Sequence, residues 1–124
     1  MEKKKVLIAE DSSVIQNISR KVLEFQNFEI TSAKDGKEVI SKLQKEDFDV
    51  ILMDINMPKM DGMECARQIR AMEDEKKAKV PIIAITGNAR NYSMDDFKNA
   101  GIDDYLPKPI NFDNLIGMLK KLTS

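Results

Sequence analysis

The chain has 124 residues, 42% of them hydrophobic and 33% charged, which bounds it to one domain able to bury a core without disulfides. Twenty basic residues against twenty-one acidic ones leave a net charge of −1 and exclude a general pull toward nucleic acid or anionic membrane. The absence of histidine excludes Ser-His and Cys-His nucleophiles, histidine-ligated metals and a phosphohistidine on the chain itself, leaving carboxylates, lysine, hydroxyls and an oxygen-bound hard cation.

The basic start, Met1 to Lys5, is followed by about five apolar residues before Glu10-Asp11, too few for a signal-peptide core. No apolar run approaches the roughly 20 residues of a membrane helix, so a cytoplasmic protein is expected. Val6-Leu7-Ile8-Ala9 is a continuous apolar run of strand length. Ser12 to Gln26 carries Ile15, Ile18, Val22 and Phe25 at helical spacing, as a helix covering a sheet would. Phe28 to Ala33 alternates more weakly, as a strand nearer an edge does. Asp35-Gly36-Lys37-Glu38 has capping-box spacing, and Val39, Ile40 and Leu43 follow on one face. Val50 to Met53 is a third strand.

Met63, Cys65, Ala66 and Ile69 mark a third helix, in which Cys65 is expected to be a buried, inert thiol. The charged stretch Glu73 to Lys79 lengthens the connection that follows. Ile82 to Ile85 is a fourth strand, and Gly101 stands where a helix of Met94, Phe97 and Ala100 should stop. Asp104-Tyr105-Leu106 is a short fifth strand. Asn111 is placed to cap a last helix with the stripe Phe112, Leu115, Ile116, Leu119 and Leu122. Five β-α units with two-sided strands imply a doubly wound α/β domain, (βα)5. The commonest small arrangement is a parallel five-stranded sheet of order 2-1-3-4-5, flavodoxin-like.

In such a fold a ligand site forms where the carboxyl ends of the central strands converge. The first strand ends in Glu10-Asp11, the third in Asp54 and the fourth in Thr86, and the fifth leads to Lys108. Taken singly, Asp11 reads as a helix cap, Asp54 as a strand terminus, Thr86 as a β-branched strand residue and Lys108 as a solvated charge. Together they place three carboxylates, a hydroxyl and an ammonium on one sheet edge. Clustered carboxylates repel, a divalent cation relieves that cost, and all-oxygen ligands suit Mg²⁺. A dianionic phosphoryl group fits between such a metal and an ammonium.

With these residues in place the chain resembles the receiver domains of two-component response regulators, of the chemotaxis-regulator type. The resemblance runs from about Lys4 to Leu122. It rests on Glu10-Asp11, on Asp54-Ile55-Asn56-Met57-Pro58-Lys59-Met60-Asp61-Gly62, on Pro81 to Thr86 and on Tyr105-Leu106-Pro107-Lys108-Pro109. It implies that Asp54 is the phosphoacceptor and that Asp11, Asp54 and the backbone carbonyl of Asn56 bind Mg²⁺, with Mn²⁺ as a permitted substitute. Glu10, where many members have Asp, acts mainly through bound water. Lys108 contacts the phosphoryl oxygens, and its bond to Pro109 is usually cis in the family. Thr86 and Tyr105 form the switch, and Asn56 and Asn88 tune the lifetime of the acyl phosphate.

The resemblance further implies a signalling domain rather than an enzyme with an external substrate. Its phosphodonor is a histidine kinase or histidine phosphotransfer protein, its output an unidentified protein target, and its state a monomer or weak dimer with no nucleic-acid or membrane partner. Ile15 is read either as part of the donor-docking patch or as a core residue, and Tyr105 alternatively as a plain half-buried aromatic. The whole of 1–124 is expected to be one receiver without an effector domain, with Met1 favouring a free-standing protein and the Glu73–Lys79 stretch resembling hybrid-kinase receivers. The alternative reading is a receiver-like interaction module that works without phosphorylation. An aspartate-nucleophile phosphatase is disfavoured because Asp54-Ile55-Asn56 lacks a second acid. A nucleotide or flavin site is disfavoured because neither glycine-rich fingerprint occurs.

Overall fold

Strands that are apolar at every position need cover on both faces. The computed structural model describes residues 3–57, 60–87 and 93–123. Strands β1 (Lys4–Ala9), β2 (Phe28–Ala33), β3 (Val50–Asp54), β4 (Ile82–Thr86) and β5 (Asp104–Pro107) form one sheet in the order β2-β1-β3-β4-β5, every neighbouring pair parallel. The helices are α1 (Ser13–Phe25), α2 (Gly36–Lys45), α3 (Gly62–Arg70), α4 (Glu75–Ala78), α5 (Met94–Ala100) and α6 (Phe112–Thr123).

Alternate strand residues feed two cores. Leu7, Ala9, Ile51, Met53, Ile82 and Ala84 pack with Val39 and Leu43 of α2, Cys65, Ala66 and Ile69 of α3, and Phe97 of α5. Val6, Ile8, Val50, Leu52, Ile83 and Ile85 pack with Leu23 of α1 and with Leu115 and Leu119 of α6. Each Val, Leu, Ile, Met or Phe among them, fully buried, contributes roughly 1.5–3 kcal/mol. Cys65 is buried as expected, and burial together with nearby acids pushes its thiol up to about 12, which leaves it inert.

Local signals decide most helix ends. Asn111 Oδ1 accepts from the Asn114 amide at 3.1 Å, and Gly101 ends α5 with φ of 93°. Asp35 Oδ1 accepts from the Glu38 amide at 2.9 Å, but the return bond of the expected capping box goes one residue upstream, from the Lys34 amide to Glu38 Oε1 at 3.2 Å.

Two expectations need correction. Helix α1 forms where its spacing predicts but turns another face to the sheet. Its buried residues are Gln16, Ser19 and Leu23, while Ile18 is 47% exposed and Phe25 88%. Gln16 Nε2 lies within hydrogen-bond reach of the Ile8, Glu10 and Ala33 carbonyls at the ends of β1 and β2, the last of which also accepts from the Glu10 amide. The second correction concerns the stretch after α3, which holds the additional one-turn helix α4 rather than a plain connection. Lys77 fastens it, donating to the Leu43 and Glu46 carbonyls at the end of α2 and pairing with Asp47 at 3.1 Å.

Candidate functional site

The parallel register brings the ends of β1, β3, β4 and β5 to one edge, with Ala9 beside Met53, Asp54 beside Ile85 and Thr86 beside Pro107. Glu10 follows β1 and Asp54 ends β3, and both are buried. Asp11 is exposed. One carboxylate oxygen from each of the three acids lies within 4.8 Å of the others. Lys108, leaving β5, places its ammonium 2.9 Å from Asp54 Oδ2 and 3.9 Å from Glu10 Oε2. The Asn56 amide donates to Asp54 Oδ1 at 3.0 Å, and the Ser12 amide to Glu10 Oε1 at 3.1 Å.

Electrostatics follow from this crowding. Burial, and then the neighbouring Asp54 carboxylate, push Glu10 up to about 7. Burial pulls the Lys108 ammonium down, but the Asp54, Glu10 and Asp11 carboxylates outweigh it, so Lys108 titrates above the ordinary lysine value. One ammonium against three carboxylates leaves the set short of positive charge. The donors are all oxygen, so the residues present fit a hard divalent cation such as Mg²⁺.

The remaining expected residues take separate places. Thr86 is fully buried at the end of β4, and its carbonyl accepts from the Lys108 amide at 2.8 Å. Tyr105 is half-buried on β5 and stacks on Phe97 of α5, with ring centroids 5.2 Å apart. Asn56 is exposed beside Asp54. Asn88 lies outside the described residues. The Lys108–Pro109 peptide is cis. Ile15 faces neither core: with Ile18, Gly87, Lys108, Pro109, Ile110 and Phe112 it lines an apolar groove of about 510 Å³. Gln16 was not anticipated. Its only sequence signal is a polar residue seven positions before the buried Leu23, hence on the same helix face.

A family model described as the response regulator receiver domain matches residues 6–120. The chain belongs to that family. The receiver is 41% identical over 112 residues to hybrid signal transduction histidine kinase I of Dictyostelium discoideum, covering 86% of this chain and 6% of the kinase. It is 37% identical over 118 residues to the transcriptional regulatory protein ResD of Bacillus subtilis, covering 95% of this chain and 47% of ResD. The receiver thus spans less than half the length of these curated relatives.

Among solved structures it is similar to the receiver domain of a sensor histidine kinase of Pseudomonas aeruginosa, with a TM-score of 0.88, 32% identity and 98% of both chains covered. That structure has a magnesium ion coordinated in its active-site cleft. A chemotaxis response regulator of Vibrio cholerae gives a TM-score of 0.85 at 33% identity, covering 97% of this chain and 98% of its own. The receiver is therefore a two-component signalling domain with relatives in both hybrid kinases and response regulators. Among the described residues no helix is long and apolar enough to cross a membrane.

Proposed function

We infer that this receiver accepts a phosphoryl group on Asp54 in a Mg²⁺-dependent reaction and thereby switches a partner-binding face. The observation that carries this is the meeting of Asp54 with one ammonium at 2.9 Å and two further carboxylates within 4.8 Å. Glu10, Asp11, Asp54 and the Asn56 carbonyl hold Mg²⁺, or Mn²⁺. When bound, the cation neutralises charge on the carboxylates and on the incoming phosphoryl oxygens.

Asp54 is the nucleophile. An Asp54 carboxylate oxygen bonds to phosphorus as the P–N bond of a partner's phosphohistidine breaks. The electron pair goes to the imidazole nitrogen, which is protonated from solvent. Lys108 leaves its ion pair with the buried Asp54 to meet the phosphoryl oxygens, its side chain 30% exposed and so reachable by the incoming group. Water later hydrolyses the acyl phosphate, at a rate that Asn56 and Asn88 tune. The donor, a histidine kinase or histidine phosphotransfer protein, seats on the apolar groove of Ile15, Ile18, Pro109, Ile110 and Phe112, which shares Lys108 with the site.

For the output, Thr86 moves toward the phosphoryl group and Tyr105 changes packing against Phe97, which remodels the face of α5, β5 and α6 toward a protein target. The change is a population shift between two arrangements. The whole of 1–124 acts as a single receiver unit that turns over no external substrate.

The test is intact mass after incubation with acetyl phosphate, with Mg²⁺ or EDTA, on wild type and Asp54→Asn. One added phosphoryl group that needs both Mg²⁺ and Asp54 is the expected result. No adduct, together with no response to beryllofluoride, would leave a constitutive protein-binding module instead.

A further inference from the structure

On α1 the position facing the ends of β1 and β2 is held by an amide, Gln16, only 9% exposed, while Val14, Ile18 and Phe25 face outward. Its Nε2 carries two N–H bonds yet lies 3.0 Å from the Ile8 carbonyl, 3.1 Å from that of Glu10 and 3.0 Å from that of Ala33. Three oxygens around one end fix that end as the NH₂. The other end, Oε1, is buried and has no partner among the described residues. An orphaned buried acceptor lowers stability, so helix packing alone does not account for an amide here.

What the amide does is hold Glu10. The Glu10 amide donates to the Ala33 carbonyl at 3.0 Å, its carbonyl accepts from Gln16, and its carboxylate accepts from the Ser12 amide. Backbone and side chain are thus tied on three sides, at the residue that leads into Asp11.

We propose that Gln16 is a positioning residue whose carboxamide holds the Glu10 carbonyl and so sets the Glu10-Asp11 turn where both carboxylates face Asp54. This rests on the role given above to those carboxylates in holding a divalent cation. Three carboxylates within 4.8 Å repel, so a loosened turn drifts apart when no cation is present, and binding must then gather it again. Asp54 stands on β3, whereas the Gln16 hydrogen bonds run to the ends of β1 and β2. The effect of losing Gln16 therefore falls on the Mg²⁺ concentration the reaction needs, not on its rate once the site is filled.

The experiment is a Mg²⁺ titration followed by backbone amide NMR shifts on wild type, Gln16→Met and Ser19→Ala. Adduct formation from acetyl phosphate is measured across the same Mg²⁺ range, and thermal melting in EDTA. Met matches the length of Gln without its donors, and should weaken Mg²⁺ binding about tenfold, the usual scale for an outer partner of a metal ligand. Its adduct rate at saturating Mg²⁺ should match wild type. Ser19→Ala, which removes from the same buried face a hydroxyl with no partner among the described residues, should leave Mg²⁺ affinity unchanged. If Gln16→Met unfolds, Gln16→Asn decides by the same titration, since it is one methylene too short to reach all three carbonyls. A variant that melts lower yet binds Mg²⁺ like wild type overturns the proposal and leaves the proposed function standing. A wild type that shows no Mg²⁺ binding overturns both.

Discussion

The ammonium of Lys108 lies 2.9 Å from Asp54 Oδ2 and 3.9 Å from Glu10 Oε2, so one cation from β5 serves buried carboxylates from two other strand ends. It is tied to the site through its side chain and to β4 through its backbone, which donates to the Thr86 carbonyl. Lys108→Ala should therefore disturb the response more than metal binding. We expect the Mg²⁺ dissociation constant to change by no more than about threefold, roughly 0.7 kcal/mol. Beryllofluoride is expected to perturb the NMR signals of Tyr105 in the wild type and to leave them unchanged in Lys108→Ala. Equal loss of both would place Lys108 in the metal site instead.

Glu10 makes stability depend on pH with a definite sign. Its carboxyl has an ordinary value of 4.5 and is pushed up to about 7 by burial and by Asp54. Between those values the folded state binds the extra proton, so this stabilising contribution is present below about 4.5 and is lost as pH rises to about 7. In EDTA, urea midpoints should fall over that window, and Glu10→Gln should flatten the fall. In saturating Mg²⁺ the trend should reverse, because the cation competes with the proton. An unchanged pH profile for Glu10→Gln would remove Glu10 as the cause.

The exposed face of α1 separates residues by burial rather than by hydrophobicity. Phe25 is 88% exposed and Leu23 fully buried. Phe25→Ser should change stability by about 0.5 kcal/mol or less, whereas Leu23→Ala should cost about 2–5 kcal/mol. Chemical denaturation of the two variants checks this, and a large loss from Phe25→Ser would mean that α1 is turned the other way.

Gly62 sits where the chain returns under the end of β3. A Cβ there would lie 2.8 Å from the Asp54 carbonyl oxygen and 2.9 Å from Ile55 Cα, backbone atoms that cannot swing aside. Gly62→Ala should destabilise by about 1–3 kcal/mol and slow adduct formation at saturating Mg²⁺, because Asp54 must shift. Urea denaturation and intact mass read the two effects, and a variant as stable and as reactive as wild type would contradict the close approach.

Much of the architecture was legible in residue order. Continuous apolar runs at Val6, Val50 and Ile82 identify strands covered on both sides, and Asn111 and Gly101 mark helix ends through contacts only a few residues long. The capping pattern holds at Asp35, whose carboxylate accepts from the Glu38 amide, and departs at Glu38, whose carboxylate accepts from the Lys34 amide instead. Helix α4 was not legible. Its one turn is fixed by Lys77 and Arg70 bonding carbonyls of other elements, among them Leu43 and Glu46 of the α2 end.

The sequence alone determined that Glu10, Asp11, Asp54, Thr86 and Lys108 stand at strand ends, because a parallel sheet of two-sided strands puts all such ends on one edge. It did not determine which side of α1 meets that sheet. Helical periodicity sets the angles between residues on one helix, and Ile15, Ile18, Val22 and Phe25 satisfy it as well as Gln16, Ser19 and Leu23 do. The choice between those faces was made by the tertiary structure. With α1 turned this way, Leu23 enters the core and the Gln16 carboxamide meets carbonyls at the ends of β1 and β2, so a buried amide keeps its hydrogen bonds while Phe25, which needs no such partner, is left to solvent.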